Sequence, residues 1–328
     1  MTSCKSPCSQ PDPMSGPRTL HDSVRCLESS FRVDARAPSR LSGVPVVLPE
    51  TLDELRTVTA GGDVVLLAGG TDLMVALNHR ARVLPPDTTV VGLSAIPELA
   101  TWSHEPSSGQ ITIGACVTWA DLERPPFDQL CPALAQAART VGSPQIRNAG
   151  TLAGNIATAS PAGDGLPVLL ALGATVDLAG PSGDRNVPLD DLLLGPKRTA
   201  IAPDEVITAI RVPEVQGWQG YAKIGVRNAM VISVAGVAVV LDADARRARV
   251  ALGSVGPTVF VAEEASRILS ESFDWDGWQC EESIIATVAD TAAAEARPID
   301  DHRSTAAYRR HGVRVLTSRL ISRGVERR

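Results

Sequence analysis

Apolar and polar positions show no regular spacing over residues 1–40, where Ser, Pro, Arg and Asp follow one another without a period. Such a stretch buries too little apolar surface to order itself, and a disordered leader is expected there. Periodicity starts near Val44. PVVLP reads as a strand, and ETLDELRTVTA as an amphipathic helix with Thr51 and Glu54 at capping-box spacing. GGDVVLLAGGTDL gives a turn, a buried strand at 64–68 and a Gly-Gly turn, and TTVVGLSAI (88–96) is a further strand. QITIGACVT (110–118) alternates as a strand, TWADLE opens a short helix at Thr118, and LCPALAQAARTVG (130–142) is a helix ending on Gly142. LPVLLALG is a helix capped by Gly173, ATVDLAG a strand turning at PSGD, and DEVITAIRVP (204–213) a strand stopped by Pro213.

From 217 the pattern changes. GYAKIG, MVISVAGVAVVLD and RRARVALGSVG read as three successive strands, the last two a hairpin turning at 242–246. After Pro257 the spacing becomes helical in FVAEEASRILS, SIIATVADTAAAEA and STAAYRRHGVRVLTSRLI. The last helix is expected to bury a stripe of Tyr308, Val315, Leu316 and Leu320. Strands followed by helices imply an α+β unit with helices over one sheet face.

One stretch fits neither period. Residues 146–164, IRNAGTLAGNIATASPAGD, are mostly Gly, Ala and small hydroxyl residues, with charges only at Arg147 and Asp164. A core strand would carry Val and Ile, and a linker would not lead into LPVLLALGATVDL.

Composition narrows the function classes. The 328 residues are 44% hydrophobic but only 3% aromatic, so Ala, Val and Leu pack the core. A net charge of −6 with no basic cluster outside the C-terminal end excludes a nucleic-acid binder. The six cysteines, at 4, 8, 26, 116, 131 and 280, form no CxxC pair, so no metal site is expected. The first twenty residues hold no secretory apolar region, and VISVAGVAVVL (231–241) is too short to span a bilayer. A soluble cytoplasmic protein without membrane insertion is the expectation. No GxSxG, HExxH, P-loop or full GxGxxG is present, and the five histidines are scattered, so a self-contained hydrolase is excluded.

Two glycine-rich segments remain as candidate chemistry. In LLAGGTDL (66–73), Gly69 and Gly70 lack Cβ atoms and Thr71 adds a hydroxyl, so successive N–H groups can curl around an anion. In GTLAGNIATASPAGD, Gly150, Ala153 and Gly154 keep the backbone bare, while Thr151, Asn155, Thr158 and Ser160 offer polar groups. A dinucleotide diphosphate needs such close backbone approach, and Asp164 suits a ribose hydroxyl. Turn chemistry alone also explains a Gly-Gly pair, and a close helix–strand contact also explains GTLAGN.

The chain resembles the flavin-binding medium subunit of the molybdenum hydroxylases, the xanthine dehydrogenase and carbon monoxide dehydrogenase family. LLAGGTDLM (66–74), ITIGACVTWADLE (111–123), SPQIRNAGTLAGNIATASPAGDGLPVLLALGATVDL (143–178), APDEVITAIRVP (202–213) and YAKIGVRNAMVISVAGVAVVL (221–241) carry the likeness. It implies an α+β protein: a disordered leader at 1–40, a two-lobed FAD-binding domain of the vanillyl-alcohol-oxidase (PCMH-type) fold at 41–216, and a small C-terminal domain at 217–328. The lobes would lie at about 41–98 and 99–216, and the last domain would be a three-stranded sheet with helices.

The same resemblance implies that Ala68, Gly69, Gly70, Thr71, Asp72 and Leu73 line the FAD diphosphate. Thr151, Gly154 and Asn155 would meet it from the other side, beside the Thr158 hydroxyl already counted among the candidate cofactor-binding groups, and Asp164 would meet a ribose hydroxyl. Val141, Ile207 and Lys223 would contact the flavin. Molybdopterin and [2Fe–2S] clusters would sit on a large and a small partner subunit, in a dimer of heterotrimers passing electrons to NAD or another acceptor. Two departures stand out: Ala153 replaces a family glycine, and Thr71 stands where covalent relatives carry histidine, which implies a dissociable FAD. A self-sufficient flavin oxidoreductase of the same fold and a non-redox interaction subunit are the rival expectations.

Overall fold

The computed structural model of the protein describes residues 43–85 and 87–326. The chain divides into two units, Met1–Ser42 and Gly43–Arg328, and the leader expected at 1–40 lies outside the described residues.

A parallel sheet opens the second unit. β1 (Val46–Val47), α1 (Leu52–Thr59), β2 (Val64–Leu67), α2 (Leu73–Asn78) and β3 (Thr89–Gly92) alternate, and the strands pair in the order β1-β3-β2. Parallel pairing requires crossovers, which the two helices supply. The cap of α1 is shifted from the simple box: Thr51 Oγ1 accepts from the Glu54 N–H at 3.2 Å, but the Glu54 carboxylate accepts from the Glu50 N–H.

An antiparallel sheet of five strands follows, in the order β4-β5-β10-β6-β7. β4 (Trp102–Glu105) and β5 (Gln110–Gly114) form a hairpin, then come α3 (Trp119–Leu122), α4 (Phe127–Leu130), α5 (Pro132–Thr140), α6 (Pro144–Ala149), α7 (Leu152–Thr158) and α8 (Gly165–Leu172). The chain returns through β6 (Thr175–Gly180), β7 (Gly183–Pro188), α9 (Leu189–Leu192), the small hairpin β8 (Leu193–Gly195) and β9 (Arg198–Thr199), and β10 (Val206–Pro213). Every residue of α8 is buried, as an all-apolar helix requires.

The third sheet explains the long apolar run at 231–241. β11 (Gly217–Ile224), β12 (Ala235–Asp242), β13 (Arg247–Gly253) and β14 (Phe260–Val261) pair antiparallel in sequence order. Ala238 and Val240 face the core shared with α8, while Val237, Val239 and Leu241 face α10 (Glu263–Ser272), α11 (Glu282–Glu295) and α12 (Ala306–Glu326). β12 is covered on both faces, so it reads as continuous rather than alternating.

Three local expectations change. Residues 230–234 precede the strand, which begins at Ala235. Phe260 and Val261 pair with β13 as a fourth strand and do not open the helix. Of the stripe expected on α12, Leu316 and Leu320 are buried, Val315 is half-buried and Tyr308 is 52% exposed; Arg309, Gly312, Val313, Thr317, Ile321 and Gly324 complete the buried face. The stripe includes a charge because the Arg309 guanidinium donates to the carbonyls of Val234 and Ser254, each at 2.8 Å, and pairs with Asp301 at 2.7 Å. Among the described residues no helix is long and apolar enough to cross a membrane.

Candidate functional site

The segment between β2 and α2 makes the first wall of the site. Gly70 takes the left-handed conformation at φ +68°, which turns the chain out of the strand. At Gly69 a Cβ would lie 1.7 Å from the Ala149 carbonyl oxygen, so bare backbone is required there by the neighbouring segment itself. The N–H groups of Gly69, Gly70, Thr71, Asp72 and Leu73 make no hydrogen bond among the described residues. Five successive donors without acceptors are costly in a desolvated place and form a nest for an anion.

The second wall differs from its sequence reading. The stretch expected as a bare loop is largely helical. Ser143 Oγ accepts from the Ile146 N–H to start α6, and Thr151 Oγ1 accepts from the Gly154 N–H at 3.0 Å to start α7. Small residues let these two short helices pack against the first wall and against Trp119, so much of the smallness serves packing. Gly154 is the exception, since a Cβ there would meet only Thr151 Oγ1, at 3.1 Å. Asn155 Oδ1 is buried with no partner among the described residues, an acceptor without a donor. Thr158 Oγ1 donates to Asp72 Oδ2 at 3.0 Å and joins the two walls.

Behind the walls lies a buried polar cluster that ties the end of α5 and the start of α8 to the third sheet. Asp164 Oδ2 accepts from Lys223 Nζ at 2.6 Å, and Oδ1 accepts from the Tyr221 hydroxyl at 2.9 Å. Lys223 Nζ also donates to the carbonyls of Thr140 and Val231, at 3.0 and 3.1 Å. Burial raises the Asp164 carboxyl above its ordinary value, against the opposing pull of Lys223, Tyr221 and Thr140. Burial, then the adjacent carboxylate, pushes the Tyr221 hydroxyl well up. Arg147 fixes the turn after α5: Nη1 donates to the Val141 carbonyl at 3.2 Å, and Nε lies 2.9 Å from Glu123 Oε2.

These walls enclose a cavity of about 910 Å³, at the large end of small-molecule sites. Ala68, Gly69, Gly70, Thr71, Asp72, Leu73, Val141, Thr151, Gly154, Asn155, Thr158, Asp164 and Ile207 all line it. Lys223 does not; it stands behind Asp164, with its ammonium held by Asp164 and two carbonyls. Sequence reasoning missed Arg82, Lys197, Met230 and Ile232, which also line the cavity. No local motif marks them, and only the third sheet's connection β11–β12 brings Met230 and Ile232 to the mouth.

The wall fits FAD. A diphosphate matches five unpartnered N–H donors, and a buried acceptor at Asn155 suits a ligand hydroxyl or ring N–H. A lining that combines the amide nest with apolar Val141, Ile207 and Ile232 suits a molecule that carries both a diphosphate and a ring system.

Comparisons with known proteins agree. The family model described as the FAD binding domain in molybdopterin dehydrogenase matches residues 40–215. The model described as the CO dehydrogenase flavoprotein C-terminal domain matches residues 221–323. The carbon monoxide dehydrogenase medium chain of Hydrogenophaga pseudoflava is 34% identical over 257 residues, covering 76% of this chain and 85% of that relative. The glyceraldehyde dehydrogenase medium chain of Sulfolobus acidocaldarius is 32% identical over 280 residues, covering 84% and 96%. Among solved structures, a chain of the Hydrogenophaga pseudoflava carbon monoxide dehydrogenase lacking the Mo-pyranopterin moiety superposes with a TM-score of 0.77. It is 30% identical, with 89% of this chain and 99% of that chain covered.

Proposed function

This chain belongs to the FAD-binding medium-subunit family of the molybdenum hydroxylases, and we propose that it serves there as the electron-transfer flavoprotein of a heteromeric oxidoreductase. It would receive electrons from [2Fe–2S] clusters on a small subunit, downstream of a large molybdopterin subunit, and pass them to NAD or another acceptor. The assembly would be a dimer of heterotrimers in the cytoplasm. The single observation that supports this most is the run of five unpartnered amides, Gly69–Leu73, on a cavity sized for a dinucleotide.

We read residues 41–216 as the domain that holds the cofactor and 217–328 as the domain that closes one end. The main-chain N–H groups of 69–73 bind the diphosphate without a formal charge, and Gly154 leaves room for it on the opposite wall. Asn155 accepts from the ligand. Val141, kept in place by Arg147, and Ile207 exclude water from the ring. Bound FAD supplies the electron chemistry, since it exchanges electrons singly or in pairs. Asp164 faces the ligand, and Lys223 orients it from behind and sets the local field.

The test is purification of the tagged chain with its natural partners. Co-purifying large and small subunits, with flavin absorbance released as FAD on denaturation, are the expected results. A colourless assembly after supplementation with FAD, or turnover of a small alcohol by this chain alone, would overturn the reading.

A further inference from the structure

The connection from β11 to β12 has one side on the cavity and the other on solvent. Met230, Val231 and Ile232 line the cavity, yet Met230 is 55% and Ile232 61% exposed. Among the described residues no N–H of 226–233 donates a hydrogen bond. Arg227 Nε donates to the carbonyls of Ala229 and Met230, at 3.0 and 3.1 Å, and these bonds stay within the segment. Met230 takes the left-handed conformation at φ 49°, which a residue with a Cβ keeps only where its surroundings impose it.

The ends of the segment are anchored. The Val234 N–H donates to the Ile224 carbonyl at 2.7 Å, and Ser233 Oγ donates to the Ala162 carbonyl at 3.3 Å. Between Gly225 and Ile232, one hydrogen bond arrives from outside the segment: Lys223 Nζ donates to the Val231 carbonyl at 3.1 Å. Lys223 has three ammonium hydrogens and three acceptors. The other two acceptors, Asp164 Oδ2 at 2.6 Å and the Thr140 carbonyl at 3.0 Å, belong to the start of α8 and the end of α5. The Lys223 side chain is only 9% exposed. Lifting Val231 away would leave a charged donor without an acceptor where water hardly reaches, and that is costly.

We propose that residues 225–233 form a strap at the cavity mouth and that Lys223 latches it, one ammonium being shared between the strap carbonyl of Val231 and the cavity carboxylate of Asp164. Lys223 is then a positioning residue, acting from behind the wall on the segment that borders the opening. The proposal rests on the FAD reading for the identity of what the strap retains. On that reading, the latch governs how fast the cofactor leaves.

The experiment uses the full chain with FAD added. Arg227 is exposed within the strap, and trypsin cuts after it only when the strap opens locally, so the cutting rate reports the opening. Lys223→Met keeps an unbranched stem and removes all three donors. The cut after Arg227 should become about tenfold faster, as expected for the loss of a hydrogen bond from a charged donor, while cuts elsewhere keep their rates. Flavin, followed by the fluorescence of the released cofactor, should leave faster in step. Lys223→Arg, which keeps charge and donors, should stay closer to wild type on both readouts. Equal cutting after Arg227 in wild type and Lys223→Met would overturn the latch. So would an equal rise at every site, the mark of a merely structural lysine. Faster cutting with unchanged flavin release would overturn the control of the mouth. Should Lys223→Met fail to fold, the wild type decides. Cutting after Arg227 as fast as after the exposed Arg82 would overturn the latch, and markedly slower cutting supports it. A wild-type chain that takes up no flavin fails the FAD reading, a different result, and its cutting rates still judge the latch.

Discussion

The two walls of the cavity look alike in composition and are built for different reasons. The first, 66–73, is a turn whose amides have no partners; the second, 143–164, is a pair of short helices whose amides are mostly satisfied within the chain. Gly69 is bare because the backbone of Ala149 in the second wall presses against it, whereas a Cβ at Gly154 would meet no backbone and only the Thr151 hydroxyl, at 3.1 Å. A small residue beside a ligand site therefore has two distinct causes, backbone packing and ligand approach, and the built Cβ distance separates them.

Substitutions break the comparison in order of size. Gly69→Val places a side chain through a backbone carbonyl, and an overpacked core position costs about 3 kcal/mol or more. Denaturant unfolding should show a large loss of stability, with loss of flavin following from misfolding. Asp164→Asn leaves the buried Lys223 ammonium without its counter-charge and should cost about 3 kcal/mol by the same measurement. Thr151→Ala removes the cap of α7 and should cost about 1 kcal/mol, with a modest weakening of flavin binding. Gly154→Ala sharpens the contrast most. It replaces a helical glycine whose new Cβ would meet only the Thr151 hydroxyl, at 3.1 Å, so the gain in helix propensity of up to about 1 kcal/mol is offset by crowding of that cap and stability should change little, while flavin titration should show a clear drop in FAD affinity. A Gly154→Ala protein that binds FAD as tightly as wild type would assign that glycine to packing as well.

The Asp301 turn before α12 gives a pH-dependent check unconnected with the ligand. Burial works against the charge on Asp301, but hydrogen bonds from Arg303, Arg309 and Ser304 outweigh it and hold its carboxyl well below the usual carboxylate range. A depressed native value means the contribution is present above the unfolded value of about 3.9 and is lost as pH falls below it. Asp301→Asn should flatten the loss of stability in that acid window, as read by thermal unfolding across pH.

Much of this was legible in the sequence because local rules governed it. The Gly-Gly turn after an apolar strand and the short helix opening at Thr118 follow from local chemistry, while the helix expected to end on Gly142 stops two residues earlier, at Thr140. The helices at 144–158 were not legible, because Gly, Asn and Thr interrupt the favourable Ala positions and no apolar stripe of helical spacing marks them; close packing on Trp119 and the first wall is what accompanies them in the fold. The stripe of α12 was misplaced because Arg309 is buried by bonds to distant carbonyls that no spacing reveals. Arg82 and Lys197 reach the cavity through tertiary placement alone, and no spacing reveals that Lys223 bonds Asp164 and the carbonyls of Thr140 and Val231 behind the wall.

Amide hydrogen exchange of the 69–73 segment, with and without FAD, tests the central claim most directly. Donors that lack acceptors in the cofactor-free chain should exchange rapidly and become strongly protected when FAD is added. Exchange in that segment unchanged by saturating FAD would contradict a diphosphate held by these amides.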